Sequence, residues 1–276
     1  MITNPDTNFV YLADSLRYDH KLFYRELDKI ISEFYPVEVI DDTADIWARD
    51  FMPIQVSNEI FVQFDYHPDY LVKFPHLRTD QKKISYTISS KLQTFPLNID
   101  GGNVIKGRNW VIMTDKVFKE NSKYPVKQII QWLEKLFDVE KIIWLPWNKK
   151  EDIFGHSDGI VNFYNNETVL INDYTREPEI RSVYLKILKD SKLQWIEIAY
   201  NPYDNKRMMH ACGIYVNFLQ VGKLIIIPVF DMKEDELVMK QFGDLYKGYE
   251  LRAINSRKIA EKGGVLHCIS WNIFQP

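Results

Sequence analysis

The sequence predicts an α/β protein built from five repeated hairpin-helix-strand units, set in a pseudo-symmetric ring that the chain termini close. Three observations lead there. The order β-hairpin, amphipathic helix, single strand recurs along the chain with negligible sequence identity between copies. A polar cluster of acid, histidine or cysteine precedes each hairpin, at intervals of about 50 to 60 residues. One unit is complete only if the C-terminal strand is joined to the N-terminal strand and helix. No Gly-, Ser- or Pro-rich tract divides the chain, so residues 1–276 read as one domain.

Residues 15–34 carry Phe23, Leu27, Ile30, Ile31 and Phe34 at the three-and-four spacing of one helix face, and Pro36 stops the pattern before a strand at 37–40. In the next unit, β-type runs at 53–56 and 60–66 flank Ser57-Asn58-Glu59 as a hairpin, and Ile84, Ile88 and Leu92 predict its helix. A third stretch repeats the order. Strands at 103–105 and 110–114 surround Lys106-Gly107-Arg108-Asn109, a helix follows on Val126, Ile129, Ile130, Leu133 and Phe137, and residues 141–145 form the strand. Residues 159–164 and 168–172 make the next hairpin around Asn165-Asn166-Glu167. Its helix runs through Ile180, Val183, Tyr184, Ile187 and Leu188, its strand through 195–199. The following copy has strands at 214–219 and 223–229, a helix on Leu237, Val238, Phe242 and Leu245, and a strand at 251–254. The last unit joins residues 269–274 to 9–12 and then to the first helix and strand.

Composition narrows the function. The net charge of -3 is not that of a polyanion binder, so nucleic acid is not an expected partner. No apolar run approaches the roughly 20 residues of a membrane helix; residues 224–230 are strand-sized and include Pro228. The opening Met1-Ile2-Thr3-Asn4-Pro5-Asp6 lacks the basic and apolar regions of a secretory signal. Two cysteines, Cys212 and Cys268, give no disulfide framework. The expectation is a cytoplasmic protein without membrane attachment, whose thiols stay reduced, and its composition is compatible with a homodimer.

The polar clusters carry the chemistry. Asp50 lies in Trp47-Ala48-Arg49-Asp50, Asp100 in Asp100-Gly101-Gly102-Asn103, and His156 and Asp158 in Gly155-His156-Ser157-Asp158; His210 and Cys212 precede the fourth hairpin, and Cys268 follows Gly263-Gly264. Paired glycines permit a sharp turn that displays the next residue. Singly, each has a plain structural explanation: an ion pair for Asp50, a turn for Asp100, a buried apolar thiol for Cys268. At matching points of a ring, however, they converge on its axis. A metal site competes for these residue types, but no second histidine stands at ligand spacing and there is no Cys-x-x-Cys. Several carboxylates would grip a cation. A guanidinium is planar, permanently charged and offers paired N–H donors to carboxylates. Asp50, Asp100 and Asp158 could hold it while Cys268, as thiolate, attacks its carbon. His156 would protonate the departing ammonia and then activate water.

Together these motifs resemble the agmatine deiminase and bacterial-type peptidylarginine deiminase family of guanidine-modifying enzymes, and the resemblance covers nearly the whole chain. Trp47-Ala48-Arg49-Asp50-Phe51-Met52-Pro53 is similar to the family's Trp-x-Arg-Asp-x-Gly-Pro, and Gly155-His156-Ser157-Asp158 to its Gly-His-x-Asp. Asn217-Phe218-Leu219 with Leu224-Ile225-Ile226-Ile227-Pro228 resembles its penultimate hairpin, and Gly263-Gly264-Val265-Leu266-His267-Cys268 its Gly-Gly-Asn-Ile-His-Cys ending. The resemblance implies the five-bladed α/β propeller (pentein). It also implies Cys268 as nucleophile, His156 as acid-base, Asp50 and Asp158 as guanidinium ligands, and no metal or organic cofactor. Trp47, Gly264 and Asn103 are expected near the pocket. The chain departs from the pattern in three places: Asp100 stands for Glu, Met52 for Gly and Val265 for Asn. The expected reaction is deimination of a small cationic guanidinium substrate, agmatine first, to N-carbamoylputrescine and ammonia, a step of polyamine biosynthesis. Peptidylarginine or another small guanidine, amidino transfer, and a catalytically silent guanidinium binder stay open.

Overall fold

A computed structural model describes residues 1–88, 91–149, 152–203 and 210–276. Strand β1 (Phe9–Ala13) leads into helices α1 (Asp14–Asp19) and α2 (Lys21–Ser32), then β2 (Val37–Ile40), which pairs parallel to β1. The single helix expected over 15–34 is therefore broken, at His20, whose φ of -129° and ψ of 48° are not helical. Helix α3 (Ala48–Phe51) precedes the antiparallel pair β3 (Ile54–Gln55) and β4 (Ile60–Asp65), and β5 (Lys91–Asn98) lies parallel to β4.

No helix occupies residues 81–88, and Leu92 is in β5. The sequence misled here because Ile84 and Ile88, four apart, pack against the core from irregular chain, Ser85 bridging Asp41. The strand signal was a period of two in Phe95, Leu97 and Ile99. Pro96 is tolerated because β5 is an edge strand. Where the other units place a helix, this one has 3-10 turns at Asp69–Leu71 and Pro75–Leu77.

The next hairpin pairs β6 (Ile105–Lys106) with β7 (Trp110–Thr114), followed by α4 (Lys116–Glu120), α5 (Val126–Phe137) and β8 (Lys141–Leu145), parallel to β7. Ile129, Leu133 and Phe137 bury one stripe of α5, packing with Val111, Met113 and Ile142 of that sheet. Then come β9 (Val161–Phe163), β10 (Thr168–Asn172), α6 (Pro178–Asp190) and β11 (Gln194–Ile198), and after them β12 (Leu219–Val221), β13 (Leu224–Val229), α7 (Glu234–Leu245) and β14 (Glu250–Asn255). Helix α8 (Arg257–Ala260) precedes the last strand, β15 (Ser270–Ile273).

Among the described residues there are five three-stranded sheets, each an antiparallel pair extended by a parallel third strand. The parallel strand requires a crossover, which is why each sheet spans a helix or an equivalent connection. One sheet joins the two ends of the chain: β15 pairs antiparallel with β1, Phe9 opposite Ile273 and Leu12 opposite Ser270. The segments just ahead of the hairpins touch one another, α3 packing on the 3-10 turn Gly101–Asn103 and that turn on Ser157–Gly159. The repeat thus gathers residues from distant parts of the sequence.

Candidate active site

Cys268 lies in the turn before β15, its sulfur at the wall of a cavity of about 380 Å³. Gly263 adopts a φ of 106°, closed to most side chains. Gly264 is required for a different reason: a Cβ there would lie 2.6 Å from the Trp47 ring and 2.9 Å from Cys268 Sγ. Trp47 therefore packs beside the sulfur. Asn217, ahead of β12, fixes the turn from the other side. Its amide donates to Cys268 Sγ at 3.1 Å and to the Asp158 carbonyl at 3.2 Å, while its Oδ1 accepts the His267 N–H at 3.1 Å.

The Cys268 thiol donates to Asp158 Oδ2 at 3.3 Å, and the same oxygen accepts from His267 Nδ1 at 2.8 Å. Burial, then the charges of Asp158 and Asp50, hold the thiol well above its ordinary pKa, so the resting sulfur is protonated. Burial and the nearby Arg49 cation push His267 down to about 4 despite Asp158, which makes it a neutral Nδ1–H donor at physiological pH. Burial would raise Asp158, but the hydrogen bond from His267 and the nearby imidazoles outweigh it and hold the carboxyl below its usual range.

His156 lies between two other acids. Its Nε2 is 2.9 Å from Asp100 Oδ2 and its Nδ1 3.6 Å from Asp50 Oδ1. Burial opposes the charged imidazole, yet Asp50 and the hydrogen-bonded Asp100 overcome it and raise His156 to about 10. The group is an imidazolium. Asp50 accepts the Gly102 N–H at 3.0 Å; burial and the charges of Asp100 and Asp158 keep its carboxyl above the usual range in spite of His156. Asp100 is also held by the Tyr70 hydroxyl at 3.0 Å. A Cβ built on Gly102 would lie 2.6 Å from Asp50 Oδ1, 2.7 Å from His156 Nδ1 and 3.3 Å from Asp158 Oδ2, so three of the expected side chains face a single point.

The structure therefore brings together Asp50, Asp100, His156, Asp158, Cys268, Trp47 and Gly264. Asn103 is nearby but directs its amide to the Thr114 main chain, accepting that N–H at 2.8 Å. His210 reaches the cavity wall, whereas Cys212 is in the core and donates its own N–H to His210 Nδ1 at 3.2 Å. Four contributors carried no expected role: Asn217, His267, Tyr70 and Arg49. Asn217 is the polar residue just ahead of the fourth hairpin, the place sought in His210 and Cys212, and its signal was that position in the repeat. Arg49 forms no ion pair with Asp50; it is buried, donating to the His267 carbonyl at 3.3 Å and to Asn272 Oδ1. Among the described residues no group of three or more His, Cys, Asp or Glu side chains has a metal-holding arrangement.

Such an arrangement can bind a cation between carboxylates, present a sulfur to it and exchange a proton through an imidazole. The chain is similar to a Photobacterium profundum protein provisionally named an agmatine deiminase, 25% identical over 86% of this chain and 77% of that one. Its fold is similar to that of C. jejuni agmatine deiminase solved with substrate bound, with a TM-score of 0.80 at 20% identity, over 100% of this chain and 96% of that one. It is also similar to the agmatine deiminase of Enterococcus faecalis, with a TM-score of 0.76 at 17% identity, over 99% and 95% of the two chains. The model of the Porphyromonas-type peptidyl-arginine deiminases matches residues 12–273, nearly the entire sequence, and the chain belongs to that family.

Proposed function

We propose that this protein is a hydrolase that deiminates a small guanidinium compound, agmatine in the first place, to the corresponding N-carbamoyl amine and ammonia. The observation that carries the reading is the convergence of Asp50, His156 and Asp158 on one point, with Cys268 Sγ 3.3 Å from the last of them. On this reading residues 1–276 form one domain whose five sheets are the blades of a closed ring. The pairing of β15 with β1 and the contacts between the turns ahead of the hairpins support that arrangement.

Asp50 and Asp158 accept N–H bonds from the guanidinium, whose charge they require. The arriving cation takes the Asp158 oxygen from the thiol and lowers the cost of a thiolate beside two carboxylates; the thiol proton passes to solvent as the substrate's charge takes its place, the one proton released when a guanidinium cation becomes a neutral urea and ammonia. Sulfur then bonds to the central carbon. Collapse of the tetrahedral adduct breaks a terminal C–N bond, and His156 gives its proton to the departing nitrogen, which leaves as ammonia. Neutral His156 next takes a proton from water as that water adds to the thiouronium carbon. Breaking the C–S bond as the adduct's hydroxyl proton passes to the departing sulfur then releases the neutral ureido product and regenerates the thiol. Asn217, His267 and Arg49 hold the frame around the sulfur.

Agmatine is favoured by the names of the relatives and by the cavity, whose size suits a small ligand. Glu177, to which the Tyr203 hydroxyl donates at 2.7 Å, adds an acid to the cavity wall that a second, amino-terminated end could use. The test is ammonia release from agmatine, free arginine and an arginine-containing peptide, with Cys268→Ala as control. Turnover of agmatine that the variant lacks is the expected result. Equal turnover by the variant would remove the covalent mechanism, and turnover of the peptide alone would move the reading to peptidylarginine.

A further inference from the structure

Behind His156 lies a buried polar group that the reaction does not touch. Lys116, the first residue of α4, is 1% exposed. Its Nζ is 3.2 Å from Asp69 Oδ1 and 3.3 Å from Glu120 Oε1, and stands 4.7 Å from the centre of the Tyr70 ring. The Tyr70 hydroxyl donates to Asp100 Oδ2, the oxygen that also meets His156 Nε2, and the Tyr70 ring is edge-on to the imidazole at 6.1 Å. Asp100 Oδ1 is buried and has no hydrogen-bond partner among the described residues, where the carboxylate is oriented through Oδ2 alone. A line of contacts thus runs from Lys116 through Tyr70 and Asp100 to His156. Burying an ammonium is costly, and an apolar residue would serve packing better.

We propose that Lys116 and Tyr70 are positioning residues that hold the Asp100 carboxylate against His156 and set the pH at which His156 releases its proton. The inference rests on His156 as the acid-base group of the proposed deiminase. The Tyr70 hydroxyl competes with the imidazole for the same carboxylate oxygen, and the Lys116 charge offsets part of that carboxylate's field; both loosen the hold on the His156 proton. The other groups facing this line are Asp50 and Asp158 beside the imidazole, Asp152 ahead of it, and Tyr66 beside Tyr70. Around the ammonium stand Asp69 and Glu120, with Lys119 paired to Asp69 at 2.7 Å.

The test is the NMR titration of the His156 imidazole in the intact protein, in wild type, Tyr70→Phe and Lys116→Met. Each variant should move the midpoint upward by on the order of one pH unit. With agmatine, kcat should fall roughly tenfold while KM changes less than about threefold, the mark of a loss confined to the chemical step. Tyr70→Phe keeps the ring over which the ammonium sits, so it decides the matter if Lys116→Met fails to fold. A folded Tyr70→Phe protein with an unmoved midpoint overturns the proposal, because a purely structural role would alter stability and leave the titration in place. Wild-type protein that turns over no guanidine would sink the deiminase reading instead, and the titration would still decide this one.

Discussion

Gly102 is where the proposed site can be probed with one methyl group. Its N–H donates to Asp50 Oδ1, and a Cβ there would approach Asp50 Oδ1 to 2.6 Å, His156 Nδ1 to 2.7 Å and Asp158 Oδ2 to 3.3 Å. Relaxed contacts to carbon need roughly 3.5 Å, so the first two groups must retreat by about 1 Å. All three are side-chain ends that can move, and Gly102 lacks the left-handed backbone that would forbid alanine. The fold should survive while the site geometry does not. A misplacement of about 1 Å costs on the order of 100-fold, or about 2.7 kcal/mol in the barrier. Gly102→Ala should therefore lower kcat/KM for agmatine by about 100-fold, with Tm by calorimetry within about 4 °C of wild type. Gly159 is the control: it lines the cavity beside His156, Asp158 and Cys268, and a Cβ there meets nothing within 4 Å among the described residues, so Gly159→Ala should stay within about threefold of wild type. A folded Gly102→Ala enzyme with wild-type kcat/KM would refute the convergence of these three side chains on a reacting centre.

Other predictions use the same measurements. Cys268→Ala should lose at least about 10,000-fold in ammonia release, since no other thiol reaches the cavity wall among the described residues. Asn217→Ala removes the donor at 3.1 Å from Sγ and the side-chain oxygen that accepts the His267 and Cys268 N–H groups, of which the first keeps the Asn217 main-chain carbonyl. It should cost roughly 10- to 100-fold in kcat and about 1 to 3 kcal/mol in denaturant unfolding, the latter from the buried Cys268 N–H that loses Asn217 Oδ1. The pH dependence of kcat/KM reports the free enzyme. Asp50 must be anionic to accept guanidinium donors, so the acid limb should rise above the usual carboxylate range. His156 must carry a proton, so the basic limb should fall near its value of about 10. Asp50 contributes the largest charge raising His156, so Asp50→Asn should move the basic limb downward; a basic limb near the unperturbed histidine value of about 6.5 in wild type would contradict the imidazolium between two acids.

The hairpins and most helices were legible because their signals are local. The stripe Ile129, Leu133, Phe137 on α5 is one such signal, and the paired glycines before Cys268 are another. Where a signal depends on tertiary contact, sequence misassigned it. Ile84 and Ile88 carry helical spacing but meet the core from irregular chain, since the fold supplies the neighbours that a helix would otherwise need. Gly264 was legible as a turn residue, yet what excludes a side chain is the Trp47 ring from the other end of the chain. Asn217 was hidden because an asparagine does not stand out beside His210 and Cys212, and because residues 214–219 read as one apolar strand although β12 begins only at Leu219. Tyr70 comes from a 3-10 turn with no periodicity, so only the folded chain brings it to Asp100.

The charge inventory ties binding to chemistry. Asp50, Asp100 and Asp158 are buried around the site with the His156 imidazolium between them, while the Arg49 guanidinium is spent on the His267 carbonyl and Asn272, and the Lys116 ammonium behind Asp100 on Asp69 and Glu120. Three carboxylates whose neighbouring cations are, except for the imidazolium, committed to other partners leave an uncompensated charge in a medium of low polarizability, and its cost is seen in Asp50, whose carboxyl clings to its proton, and in Cys268, whose thiol resists ionisation. A neutral amide would cure neither. A guanidinium relieves both at once, since it displaces the proton on Asp50 and offsets the field that keeps sulfur protonated. On the proposed reading, then, the empty enzyme carries an unreactive thiol, and the positive charge by which the substrate is recognised is also what turns that thiol into a nucleophile.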